Sequence, residues 1–302
     1  MAARALARAQ HLNEGDAPLV GVGATGALAT CRLHRGEHRV HVGVARADAA
    51  AVYSLVLNKG ARTRAEEEEL CSRLLLHALA LACGVIPGFA LPLAPEEGLR
   101  VTGALSPVAD LLQGRARSLR VAPDGQTEAD APVAGGILPG AFNPLHVGHR
   151  RLAEAAAEML GAPVAYELSL ENVDKLALHE EEALRRARQF SGWATLLLTR
   201  APTFREKARL FPGCVFVIGY DTAVRVVAPR YYAGEADMLA ALGEIREHGC
   251  SFLVAGRLHG GAYHTLADVP IPPAFHSLFA EIPASRFRED ISSTELRAGG
   301  GQ

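Results

Sequence analysis

The pattern of apolar and polar positions divides the chain into a strand-rich first part, a stretch without period, and a second part in which short apolar runs alternate with helical stretches. At the start, MAARALARAQHLNEG reads as a first helix ending near Gly15. Residues 19–22 form a short apolar run before a Gly-rich turn, GVGATGALA. HRVHVGV (38–44) alternates polar and apolar residues with period two, as a half-buried strand does, and VYSLVL (52–57) is a further strand candidate. RTRAEEEELCSRLLLHALALACG predicts one long helix. Its acidic first turn suits the positive end of the helix dipole, and Gly84 stands where a glycine ends a helix. Residues 74–94 are almost wholly apolar, but Gly84, Pro87, Gly88 and Pro92 stop the helix near Cys83. A membrane span needs about 20 apolar residues in one helix, so a buried helix and then an extended segment in a soluble protein is expected.

Residues 86–132 are rich in Pro, Gly and small polar residues, and VAPDGQTEADAP reads as the clearest linker, with PDG as a turn signal. The expected organisation is a first domain over 1–100, a linker over 101–132 and a second domain over 133–302. In the second domain apolar runs fall at 136–138, 164–168, 195–198, 215–218 and 252–254. Between the first two, HVGHRRLAEAAAEMLG places Leu152, Ala155, Ala156, Met159 and Leu160 on one helical stripe closed by Gly161. Strands separated by helices imply right-handed crossovers and a parallel sheet. Ligands bind such sheets at the carboxyl ends of the strands.

Composition narrows this picture. At 302 residues, about two domains are expected. Apolar residues at 49% and charged residues at 21% exclude a disordered or fibrous chain. Lys plus Arg number 31 and Asp plus Glu 33, so the basic excess of a nucleic-acid binder is missing. The five cysteines form no C-x-x-C pair, which argues against a disulfide framework or zinc site and for a reducing compartment. Cytoplasmic residence is expected. Arg4 and Arg8 on the Ala-rich start are the one feature like an import peptide, and an ordinary first helix is the favoured reading of them. The apolar first domain is a candidate subunit contact.

The loop after the first strand of the second domain, GGILPGAFNPLHVGHRRL, carries candidate chemistry. Gly140 lets backbone approach a ligand, and Asn143-Pro144 starts a turn. His146 and His149, three apart at a helix start, can face one ligand. Free backbone amides there add an anion site. A zinc pair is the rival chemistry, weak without a third ligand.

The string G-A-F-N-P-L-H-V-G-H (140–149) resembles the signature of the HIGH-type nucleotidyltransferases, in particular the nicotinamide or nicotinate mononucleotide adenylyltransferase-like group. ISSTELR (291–297) resembles that family's second motif, and the resemblance covers about residues 133–297. It implies a Rossmann-like parallel-sheet domain. His146, His149 and Arg297 are then the catalytic groups. Gly140, Ala141, Phe142, Asn143, Asp221, Ser292, Ser293 and Thr294 bind the nucleotide. Asn172 and Lys175, in the loop after the second strand, meet the acceptor. Ser292, Ser293 and Thr294 suit a helix start, with Arg297 one turn on able to fork onto phosphate oxygens. VIGYDTAVRV (217–226) resembles the family's GxD strand end; Asp221 then meets ribose or adenine, or is a plain helix cap. Thr199 and Arg200 are candidates for an adenine pocket, while the run RRAR (185–188) reads as a solvated helix face. PRYYAGE, with Tyr231 and Tyr232, stands where the family carries a Trp-containing segment; Trp193 is the chain's one tryptophan.

The resemblance implies adenylyl transfer from ATP to a pyridine mononucleotide. An acceptor phosphate oxygen attacks the α-phosphorus in line, pyrophosphate leaves, and the protein positions and stabilises charge. Mg2+ arrives with ATP and needs no carboxylate cage. Other acceptors such as phosphopantetheine, cytidylyl transfer, and a non-catalytic nucleotide-binding protein are the alternatives. Residues 1–85 more loosely resemble the later half of a CinA-type domain, with Thr25 and Gly26 in its TG loop. The segment bearing that family's Ser motif has no counterpart, so an active amidase is not expected.

Overall fold

The computed structural model describes residues 1–31, 35–171, 177–259 and 262–288. The chain forms two compact units, Met1–Ala116 with Asp124–Glu128, and Arg117–Pro123 with the chain from Ala129 onward. No described helix is long and apolar enough to cross a membrane.

The first unit starts with helix α1 (Ala2–Leu12), then strands β1 (Gly21–Ala27), β2 (Arg39–Ala45) and β3 (Ala50–Val56). Helix α2 (Arg64–Ala82), β4 (Gly98–Gly103) and α3 (Pro107–Leu112) complete it. The strands lie in sequence order, each antiparallel to the next. The glycine-rich segment expected as a turn is the edge strand β1. A Cβ on Gly21 would sit 2.3 Å from the Ala2 carbonyl oxygen, and one on Gly23 2.5 Å from the Met1 Cβ. The glycines are what lets α1 lie on the strand; they mark close packing, not a bend. Helix α2 begins with a reciprocal Thr63–Glu66 capping box and buries Leu70, Leu74, Ala78 and Leu81 along one face. Gly84 follows its end at φ +75, as expected.

Residues 101–132, expected as a linker, are built instead. They hold the end of β4, α3, β5 (Ser118–Val121) and β6 (Thr127–Ala129). Ser106 caps α3, whose Val108 and Leu111 are fully buried. These elements are too short to show a period, which is why prolines and glycines dominated the reading. Asp124-Gly125 is a turn, with Gly125 at φ +87.

The second unit contains β7 (Gly136–Pro139), α4 (Val147–Leu160), β8 (Val164–Ser169), α5 (Glu180–Ala187), β9 (Leu196–Thr199) and α6 (Phe204–Leu210). It continues with β10 (Val215–Gly219), α7 (Tyr220–Val226), α8 (Glu235–Glu247), β11 (Ser251–Ala255), the hairpin β12 (Arg257–His259) and β13 (Ala262–His264), and β14 (Phe279–Ile282). The sheet order is β14-β11-β10-β7-β8-β9-β5, with β6 at the outer edge. Neighbours from β14 to β9 are parallel; β5 is antiparallel to β9. All five predicted strands are present, and α4 buries Leu152, Ala155 and Ala156 before ending at Gly161 at φ +59. Counted from β7, the parallel strands run 3-2-1-4-5-6, the doubly wound Rossmann order. Its strand order reverses between β7 and β10, which is where such sheets take their ligands. Ile137, Phe216, Phe252 and Val254 are among the core residues that fix these central strands.

Candidate active site at the strand switch point

The loop leaving β7 is shaped by Phe142. Its side chain is 1% exposed, and its ring meets His149, Tyr166 and Phe190 edge-on at centroid distances of 5.2, 5.7 and 5.1 Å. A Cβ on Gly140 would fall 2.5 Å from the Phe142 ring, so the residue before Ala141 has to be glycine. Phe142 itself adopts φ +46, a left-handed conformation that costs a non-glycine residue on the order of 1–3 kcal/mol and persists where surroundings enforce it.

The surroundings that enforce it come from α5 and the turn after it. Gln189 Nε2 donates to the Phe142 carbonyl at 2.8 Å, while its Oε1 accepts from the Leu145 amide at 2.9 Å. Arg186 donates to the Ala141 carbonyl at 2.9 Å, and Arg185 to Asn143 Oδ1 at 2.8 Å. Glu182 pairs with both arginines, and the hydrogen bond from Arg185 leads in holding its carboxyl down to about 2. The RRAR run is therefore not a plain solvated face: Arg185 and Arg186 grip the loop.

His146 caps α4 and His149 lies in its first turn; their rings sit 3.8 Å apart at 34°. The His146 amide donates to His149 Nδ1 at 3.3 Å. Nδ1 is thus the acceptor and Nε2 carries the proton. Burial first, and then the charge of His146, push His149 down to about 4. At neutral pH it is an uncharged N–H donor. The first turn of α4 contains no acidic residue of its own to compete with an anion for the helix dipole. Among the described residues, no cluster of three His, Cys, Asp or Glu is placed to hold a metal ion.

Gly140, Ala141, Phe142, Asn143, His146 and His149 are thus gathered at the carboxyl end of β7. Asp221 stands at the carboxyl end of β10, the next strand, in the first turn of α7. It is not the helix cap, which is Gly219, and its carboxylate pairs with Arg257 of β12. Beside it Tyr220 stacks on His264 at 5.0 Å and 15°. Asn172, Lys175, Ser292, Ser293, Thr294 and Arg297 lie outside the described residues. Thr199 does not line a pocket: it is fully buried and donates to Glu167 Oε1 at 2.6 Å. Arg200 pairs with Glu171 at 2.6 Å. Tyr232 donates to the Val226 carbonyl, and with Tyr231 and Phe204 it lines a cleft of about 330 Å3 between helices.

The sequence reading missed the support beneath the loop. Glu167, 1% exposed, accepts from Lys207 at 2.7 Å, and its carbonyl accepts from the Gly140 amide at 2.9 Å. Lys207 also donates to the Ala201 carbonyl at 2.7 Å. The signal was a lone carboxylate inside the apolar strand VAYELS, since buried charge survives only when paired.

A doubly wound sheet with paired imidazoles and a helix N-terminus at its switch point defines a domain for handling nucleotide phosphates. The family model described as cytidylyltransferase-like matches residues 137–299, more than half of the 302 residues. The chain belongs to the cytidylyltransferase-like family, and its second unit is a nucleotidyltransferase domain. No curated protein matches the chain.

Proposed function

We propose that the protein transfers AMP from ATP to nicotinamide or nicotinate mononucleotide with release of pyrophosphate. The observation that carries nucleotidyl transfer is the His146–His149 pair. The His146 amide fixes the tautomer of His149, so its Nε2–H is available to an α- or β-phosphate oxygen beside the free amides of α4. A phosphate acceptor is already nucleophilic and needs no general base. Its oxygen forms a bond to the α-phosphorus as the bond to the bridging oxygen breaks, and the electron pair leaves on pyrophosphate. A neutral donor already in place stabilises the charge that develops, without reorganisation. Magnesium comes with the triphosphate as part of the substrate. Ser293, Thr294 and Arg297 are assigned the β- and γ-phosphates, Asp221 the ribose or base, and Asn172 and Lys175 the acceptor.

The pyridine acceptor rests on the resemblance of residues 140–149 and 291–297 to the mononucleotide adenylyltransferases. The looser CinA-like resemblance of the first unit points to the same metabolism, and there we assign a non-amidase role, a remnant or a contact surface. Cytidylyl transfer is the second reading, favoured by the family's own description. The test is pyrophosphate release with ATP or CTP against a panel of acceptors. The proposal expects ATP with a pyridine mononucleotide to be the fastest pair; faster turnover with CTP or with phosphopantetheine overturns it. Nucleotide binding with no pyrophosphate from any pair identifies a sensor.

A further inference from the structure

A cavity of about 500 Å3 opens at the amino ends of β8 and β9, the opposite edge of the sheet from the histidine loop. That volume is within the range of small-molecule sites. Val133, Ala157, Val164 and Leu197 give it apolar walls, and Arg120, Glu154, Tyr166 and Thr195 are among its polar lining. Tyr166 is 3% exposed, and its ring is fixed by Phe142, Phe190 and Trp193 at centroid distances of 5.7, 5.0 and 5.4 Å. Its hydroxyl makes no hydrogen bond among the described residues, and what surface it keeps lies on the cavity wall. The ring is buried while the hydroxyl oxygen stays accessible, so a donor faces the open space. Burial pushes this one up to about 12, so it is a donor at every physiological pH. Glu154, on the exposed side of α4, makes no ion pair among the described residues.

We propose that this cavity is a second ligand site, and that it takes a small amino-substituted heteroaromatic ring. A ring nitrogen accepts from the Tyr166 hydroxyl, the exocyclic amine donates to Glu154, and the apolar lining residues take the ring faces. The Trp193 ring is already covered by Arg150 at 4.1 Å and stacked with Phe190, so it serves as wall, not as a clamp.

The test uses 2-aminobenzimidazole with the full chain, followed by ligand-observed NMR in saturating ATP so that the histidine site is not competing. The expected result is saturable binding that weakens at least fivefold in Tyr166→Phe and in Glu154→Gln and disappears in Ala157→Trp, which fills the cavity. Glu154→Gln alters only an exposed side chain and keeps the test valid if the filled variant does not fold. No saturable binding to the wild-type chain, or equal binding in Tyr166→Phe and Glu154→Gln, overturns the site. Neither result bears on whether the histidine loop transfers nucleotides.

Discussion

Two histidine settings, one buried and one half-buried, show how a single side chain serves opposite ends. In the first unit His38 Nδ1 lies 2.6 Å from Glu67 Oε1, and the other Glu67 oxygen accepts from the Ala29 amide at 2.6 Å. Glu67 is 0% exposed and His38 5%. There Nδ1 is a donor and a carboxylate balances the ring: the pair is internal structure. In the second unit the partner of His149 is another imidazole, and a backbone amide occupies Nδ1. The tautomer is reversed, no carboxylate among the described residues pairs with the ring, and the proposed function gives its Nε2–H to an anion. The difference lies in which group each imidazole is packed against.

Substitutions can break this comparison from either side. The largest effect is expected for Glu67→Ala, because removing one partner of a buried pair costs about 3–5 kcal/mol. Urea unfolding followed in the first unit should show that loss; a change under about 1 kcal/mol, the size of an exposed pair, would contradict a structural role. Next comes His149→Ala, expected to lower turnover by about 10²–10³, the usual cost of one lost oxyanion donor. Its melting temperature should stay close to wild type, and near-normal turnover would reverse the assignment.

A pH experiment sharpens the contrast. His149 is depressed from its ordinary 6.5 to about 4 in the folded chain. Between those values the unfolded chain binds more protons, so stability rises with pH across that window and falls again on acidification. The depression corresponds to about 3 kcal/mol as an upper figure. The slope should shrink in His149→Asn, read as urea stability at pH 4.5 and 7; an unchanged slope would mean that His149 titrates normally. The smallest effect is expected at Gln189, which positions the loop through Phe142 and Leu145. Gln189→Ala should lower turnover about tenfold, or ~1.4 kcal/mol. Gln189→Glu keeps the acceptor for Leu145 and should recover part of it. Equal activity in all three would show that the loop holds its shape without this grip.

Much of the second unit was legible because its strands are short apolar runs and α4 shows a clean 3.6-residue stripe. The histidine pair was legible because spacing on one helix start is local. What escaped was held by contacts distant in sequence. Gln189 and Phe142 are 47 residues apart, and Arg186 and Ala141 45, so the RRAR run looked like any charged helix face. Strand β1 escaped because glycine, ordinarily a strand breaker, was there to admit a helix. Thr199 escaped because its place at the end of the third strand suggested a pocket, whereas Glu167 consumes its hydroxyl.

The central claim is that this switch point moves a nucleotidyl group instead of merely holding a nucleotide. The most direct measurement mixes the protein with ATP, magnesium and nicotinamide mononucleotide and counts pyrophosphate against dinucleotide formed. One pyrophosphate per dinucleotide, lost in His149→Ala, is the expected result. Tight ATP binding with no pyrophosphate from this or any other phosphate acceptor would contradict it.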